Sequence, residues 1–308
     1  MIRVLLLAAG AIAVLGAVAA GLLYLAPSTV ISLTQWQAAR SAGLTSKTVS
    51  VDGYETHYFE GGKGPVLIML HGMADDRHSF VGVAKELAAD YRVVLPDLMG
   101  HGDNAANPGR DYSIAGQRVF IGAFADALNV ATFSLVGNSM GGHVAAAYAL
   151  DNPARIERLV LVNAPGLVLD ETVIYGGFGE PLRGREDFDA LMKRVFYNPP
   201  AVPDPIKQYL IEKTNARMAF INSLADSVRG GADHDLSDRI AAMQAPTLIV
   251  WGEEDVVVPF TVAEAYAEQI PDADLVLLPE AGHSPQMEAP DRVANAIRQF
   301  LNAERNQR

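Results

Sequence analysis

A serine flanked by glycines, Gly137-Asn138-Ser139-Met140-Gly141, stands where a β-type run gives way directly to an alanine-rich helical run. Residues 132–136 are apolar and β-prone; residues 143–150 have helical composition and stop at Asn152-Pro153. A strand that turns this sharply into a helix forces its central serine into a strained backbone conformation. Gly137 and Gly141 carry no Cβ, so neighbouring backbone can pass close by. Such an elbow raises the Ser139 hydroxyl above the carboxyl edge of a sheet. It also leaves the Met140 amide at a helix N-terminus, where an oxyanion is favoured. The bland alternative is a glycine-rich turn that happens to contain a serine, and the strand before and helix after weigh against it.

At 308 residues the chain suits one large α/β domain with an insertion. Half its residues are hydrophobic and 19% are charged, enough for a buried core and too apolar for disorder. The net charge of −12, with no basic stripe, excludes a nucleic-acid partner. Cysteine is absent, which removes disulfides, thiolate metal sites and a cysteine nucleophile together.

In chain order, residues 48–51 and 56–59 flank Asp52-Gly53, a hairpin signal. Residues 66–70 form a continuous apolar strand of the kind buried on both faces, ending in His71-Gly72-Met73. That turn can aim the Met73 amide at a developing oxyanion, with Met140 as second donor. His71 reads better as the residue holding the turn than as a catalyst. Residues 92–95 are another buried strand, followed by Asp97 and His101 in a glycine-rich stretch that reads as a structural turn. Ser113 caps a helix to Leu128, and residues 158–162 are a strand ending at Asn163. An acid could have stood at that tip; asparagine stands there instead. Strand–helix alternation lapses over residues 166–237, where Phe178, Phe188, Leu191, Met192, Phe196, Tyr197, Tyr209, Met218, Phe220 and Leu224 are scattered among prolines and glycines. This reads as a helical cap, some of these residues forming its own core and others an apolar pocket over Ser139. Alternation resumes with strands at 246–251 and 275–278, and helices at 263–269 and 289–300.

A serine hydroxyl needs a base, and a histidine base needs a carboxylate to fix its tautomer. Ser139, Asp255 and His283 occur in that order, each on a loop after a buried strand, and in parallel sheets such loops share one edge. Glu253 and Glu254 are rival acids; the tight turn between Gly252 and Pro259 favours Asp255. This chemistry needs no metal and no organic cofactor.

Leu70-His71-Gly72, residues 97–102, residues 136–142, residues 251–255 and Gly282-His283-Ser284 together resemble the α/β-hydrolase superfamily over residues 48–304. Gly-Asn-Ser-Met-Gly-Gly, Val250-Trp251-Gly252 and residues 282–288, behind an apolar amino terminus, resemble more narrowly the membrane-anchored monoacylglycerol lipase-like branch. The resemblance implies an α/β-hydrolase fold with a mostly parallel sheet. It makes Ser139 the nucleophile, Asp255 the acid, His283 the base, and Met73 and Met140 the oxyanion-hole amides. The core would be residues 48–165 and 238–308, with the cap at 166–237. A serine ester hydrolase acting on small apolar esters or lipids is the expected activity. Gly-Asn-Ser-Met-Gly-Gly also occurs in carbon–carbon bond hydrolases of aromatic-ring breakdown, so these, or acyl transfer, are the alternatives within the fold. A membrane-tethered sensor of small apolar ligands is the alternative outside enzymology.

Residues 4–26 carry no charge and, as a helix, span about 34 Å, slightly more than a hydrocarbon core. Residues 1–27 are therefore expected to anchor the chain in a membrane, with the catalytic body outside the cytoplasm. A cleaved secretory signal competes, since Ala17-Val18-Ala19 has the form of a cleavage site. Residues 28–47 are expected as a linker helix, lying on the membrane or packed on the domain.

Overall fold

The computed structural model describes residues 21, 23–104, 106–107, 109–169 and 179–303. Helix α1 (Pro27–Ser41) comes first, with Pro27 in its first turn, where a missing N–H costs nothing. Strands β1 (Thr45–Val51) and β2 (Tyr54–Gly61) form the antiparallel hairpin that Asp52-Gly53 announces. Both turn residues have positive φ, 51° and 81°, as a type I′ turn requires. Strand β3 (Val66–Leu70), α2 (Val81–Leu87), β4 (Arg92–Pro96), α3 (Ile114–Ala127), β5 (Phe133–Asn138), α4 (Met140–Asp151) and β6 (Ile156–Val162) follow. Helices α5 (Arg185–Val195) and α6 (Asp204–Gly230) make a helical insertion. Strand β7 (Thr247–Gly252), α7 (Phe260–Gln269), β8 (Ala273–Leu278), α8 (Pro285–Glu288) and α9 (Pro290–Asn302) complete the order.

Among the described residues the strands make one eight-stranded sheet, ordered β1-β2-β4-β3-β5-β6-β7-β8. The pairings from β4 through β3, β5, β6 and β7 to β8 are parallel. Successive side chains of β3 alternate between two cores. Ile68 and Leu70 join Leu135, Phe124 and Trp251 on one face, whereas Leu67 and Met69 join Val136, Val160 and Val250 on the other. Period-two alternation with apolar residues at every position is what burial on both faces demands.

The linker helix is packed on the domain at its carboxyl end: Ala39, Ala42 and Leu44 are buried in the core with Leu67 and Met69. Its Leu33 and Trp36 remain 53% and 55% exposed. The linker ends earlier than expected, because β1 pairs from Thr45. Among the described residues no helix is long and apolar enough to cross a membrane. The anchor expected over residues 4–26 falls mostly on residues 1–20, which lie outside the described residues; residues 21 and 23–25 are helical.

The insertion returns to the core at an ionic knot. Arg118 Nε lies 3.0 Å and Arg239 Nη1 2.7 Å from Asp233, and both arginines also pair with Asp151. His143 of α4 donates from Nε2 to the Asp233 carbonyl at 2.9 Å. Burial pushes the His143 imidazole down to about 4, and burial together with the neighbouring His71 pushes His101 down to about 3. Both rings thus stay neutral in the folded chain over a range where they ionise in the unfolded one. Unfolded chains then bind more protons from about pH 6.5 down to these values, so stability is intact at neutral pH and falls as the pH drops through that window. The unfolding free energy from urea denaturation is expected to fall from pH 7 to pH 4 by on the order of a few kcal/mol, and His143→Gln to flatten part of that fall. An equal fall in His143→Gln contradicts the assignment.

Candidate active site

The tips of the parallel strands meet at one sheet edge, and the candidate residues are on them. Ser139 leaves β5 with φ 51° and ψ −125°, a conformation that costs an L-residue on the order of 1–3 kcal/mol. Two bonds hold it: its N–H donates to the Val162 carbonyl at 3.0 Å, and its carbonyl accepts the His143 amide at 3.0 Å. The elbow depends on close backbone approach. A Cβ on Gly137 would sit 2.2 Å from the Gly141 carbonyl oxygen, and one on Gly141 2.4 Å from that of Leu70. Gly141→Ala must displace β3 from α4 and is expected to destabilise by about 1–3 kcal/mol, with activity falling too, measured by urea denaturation of the pair. Wild-type stability in that variant contradicts this packing.

His283 lies after β8, and its Nε2 is 2.9 Å from Ser139 Oγ. Its Nδ1 is 2.8 Å from Asp255 Oδ2. A carboxylate only accepts, so Nδ1 carries the proton and Nε2 is free to accept from the serine hydroxyl. Asp255 Oδ1 accepts the Val257 and Val258 amides at 2.7 and 3.1 Å, which holds the carboxylate still. Its side chain is 1% exposed, while Glu253 and Glu254 are exposed.

Two asparagines serve this arrangement, and the sequence reading gave neither a role. Asn163, with φ 45° at the tip of β6, donates from Nδ2 to Asp255 Oδ2 at 2.7 Å and accepts the Gly252 amide on Oδ1 at 3.1 Å. It ties the acid's turn to the neighbouring strand. Asn138 donates from Nδ2 to the His283 carbonyl at 3.0 Å and to that of Val162 at 3.2 Å. A buried polar side chain at the end of an apolar strand was the available signal for both.

Met140 opens α4, so its N–H has no acceptor within the helix. The Gly72 backbone passes close to the serine: a Cβ there would lie 3.2 Å from Ser139 Cβ. His71 donates from Nδ1 to the Gly72 carbonyl at 2.7 Å and accepts the Leu98 amide on Nε2 at 3.0 Å, one neutral tautomer satisfying both. Gly72 C=O and Met73 N–H belong to one planar peptide and point opposite ways. Fixing the carbonyl therefore fixes the direction of the Met73 amide. Asp97 and His101 form a structural turn: the Asp97 carboxylate takes the Arg77 and Asp103 amides at 2.8 Å each and pairs with the Arg77 guanidinium, and His101 bonds the Met99 carbonyl at 2.9 Å.

Ser139, His283 and Met73 border a cavity of about 450 Å³. Leu191, Met192, Phe196 and Met218 of the insertion line it, as do Val257, Val258 and Met287 from the core loops. Phe188 and Leu224 are buried elsewhere, and Phe220 packs edge-on to Tyr112 at 5.3 Å. Tyr197 is 49% exposed, and Phe178 lies outside the described residues. The insertion is strapped to the histidine loop. The His283 amide donates to the Val195 carbonyl at 2.9 Å, and Glu288 accepts the Gly282 amide at 2.7 Å and the Tyr197 amide at 2.8 Å.

Human monoacylglycerol lipase ABHD6 is 30% identical over an alignment 315 positions long, covering 96% of this chain and 93% of that protein. The crystal structure of a membrane phospholipase A, described as a bacterial virulence factor, superposes with a TM-score of 0.84 at 32% identity, over 99% of this chain and 100% of that one. A meta-cleavage product hydrolase from Pseudomonas fluorescens superposes with a TM-score of 0.72 at 27% identity, over 83% of this chain and 97% of that one. Residues 67–296 match the model of the alpha/beta hydrolase family. The chain belongs to that family, within its monoacylglycerol lipase-like branch.

Proposed function

We propose that this protein is a serine ester hydrolase that cleaves lipid acyl esters through an acyl-enzyme on Ser139. The observation that carries the reading is the unbroken chain of short hydrogen bonds from Ser139 Oγ through His283 to Asp255, opening on an apolar cavity. His283 Nε2 takes the hydroxyl proton as Oγ attacks the ester carbonyl. The oxyanion of the tetrahedral intermediate is held by the Met73 and Met140 amides. Collapse breaks the C–O bond, and the His283 proton leaves on the alcohol. Water, deprotonated by His283, then attacks the acyl-enzyme and releases the carboxylic acid. Asp255 holds the imidazole and stabilises its charged form. Residues 166–237 act as a cap whose apolar underside takes the acyl chain. The apolar run at residues 4–26 serves as a membrane anchor, which concentrates the enzyme where such esters dissolve. Relatives named as lipase and phospholipase support lipid esters over carbon–carbon substrates.

Hydrolysis of para-nitrophenyl esters from acetyl to palmitoyl tests the reading. Rates are expected to rise from acetyl to a medium or long chain that fills the cavity. Turnover no faster than that of Ser139→Ala on every ester contradicts it.

A further inference from the structure

Asp75 lies on the core side of the cavity that Ser139 opens into, two residues after Met73. A carboxyl group is an unusual wall for an apolar pocket, since leaving it without hydrogen bonds among hydrocarbon is costly. Here it is built in. Asp75 Oδ1 accepts the Asp76 amide at 2.8 Å. Four residues on, Ser79 Oγ accepts the Gln286 side-chain amide at 3.0 Å. Ser79 and Gln286 are buried, and Gln286 stands three residues after His283, so the segment that follows Asp75 is tied to the one that carries His283. A carboxylate offers about four acceptor positions, and this one bond leaves acceptor capacity over.

An acyl chain gains nothing beside such a group, and the insertion offers it Leu191, Met192, Phe196 and Met218 instead. The alcohol portion of the ester is what can meet Asp75. Among the described residues on the cavity wall the one lysine or arginine is Arg194, which belongs to the insertion and is exposed. An anionic group next to Asp75 would find a carboxyl and no neighbouring counter-charge there.

Resting on the ester-hydrolase reading, we propose that Asp75 selects the leaving group: it hydrogen-bonds a free hydroxyl of a polyol ester, such as a glyceryl group, and disfavours leaving groups that carry an anionic phosphate. The full chain in detergent micelles is assayed on three esters of one acyl chain: 1-octanoylglycerol, methyl octanoate and 1-octanoylglycerol-3-phosphate. The readout is the ratio of kcat/KM values within each enzyme, so a general loss of activity cancels. Wild type is expected to prefer the glyceryl ester to both others by roughly tenfold. In Asp75→Ala both ratios are expected to fall towards one. Asp75→Asn, which keeps a hydrogen-bonding group, retains part of the glyceryl-over-methyl preference and loses the discrimination against phosphate. Wild-type ratios near one overturn the proposal without any variant, as do unchanged ratios in Asp75→Ala or, if that variant does not fold, an unchanged phosphate ratio in Asp75→Asn. If wild type cleaves none of the three faster than Ser139→Ala, the ester-hydrolase reading itself fails and takes the proposal with it.

Discussion

Replacing Ser139 with alanine is expected to lower kcat/KM on acyl esters by on the order of 10³-fold or more, about 4 kcal/mol of transition-state stabilisation. The hydroxyl is the one atom group removed, and what goes with it is the covalent route. The amides of Met73 and Met140 and the apolar cavity would still bind substrate and polarise its carbonyl, which accounts for residual turnover above water. Stability should change little. The strain of φ 51° belongs to the backbone of the elbow and is as large for alanine as for serine. The pair is compared by steady-state kinetics on one medium-chain ester and by thermal melts. A large rate loss with matched melting temperatures is the expected result. Retention of more than about a tenth of the activity contradicts nucleophilic catalysis at this residue.

Asp255→Asn is expected to cost about 10³- to 10⁴-fold in kcat, and about 1–3 kcal/mol of stability because the buried Asn163 amide then faces a second donor. The reason lies in which oxygen binds what. Oδ1 accepts two backbone amides, from Val257 and Val258, so an asparagine there keeps its carbonyl oxygen on that side. Its NH₂ group then occupies the place of Oδ2, facing His283 Nδ1 and the Asn163 amide, both of which now donate. His283 must present a lone pair on Nδ1 and carry its proton on Nε2. In that tautomer it cannot accept the serine proton. The imidazole also loses the carboxylate that stabilises its charged form. Kinetics at saturating ester check this: kcat collapses while KM moves by a small factor. Equal activity in the variant contradicts the role of Asp255.

The alternation of buried strands with helices was legible in the sequence, because a parallel strand covered on both faces has no polar positions and reads as an unbroken apolar run. Residues 66–70 and 246–251 show this most plainly, and the observed strands Val66–Leu70 and Thr247–Gly252 match them closely. The hairpin was legible for a different reason, since Asp52-Gly53 is among the few pairs that tolerate two positive φ angles. Strand ends were less so. Thr45 to Lys47 and Ala273 to Asp274 pair with neighbours although they are exposed and polar in part, because ladder hydrogen bonds do not depend on side-chain type. The chain order serine, acid, histidine points to three residues that the structure joins in a row, with His283 hydrogen-bonded to Ser139 on one side and Asp255 on the other. In the sequence Asn163 reads only as a strand tip without an acid, whereas in the structure it stands beside Asp255 and donates to it. Nor could local pattern divide the aromatic and aliphatic residues of the insertion. Met192 and Phe196 face the cavity, but Phe188 on the same helical stretch is buried away from it, and only tertiary packing makes that distinction.

Covalent catalysis at Ser139 leaves an acyl group on that residue, which a quench experiment traps. The full-length protein is mixed with excess para-nitrophenyl octanoate, stopped in acid within the first turnovers, digested and mapped by mass spectrometry. An octanoyl adduct on the peptide containing Ser139, absent from Ser139→Ala, is the result predicted. Continued release of octanoic acid with that peptide unmodified, or with the adduct on another residue, would contradict it.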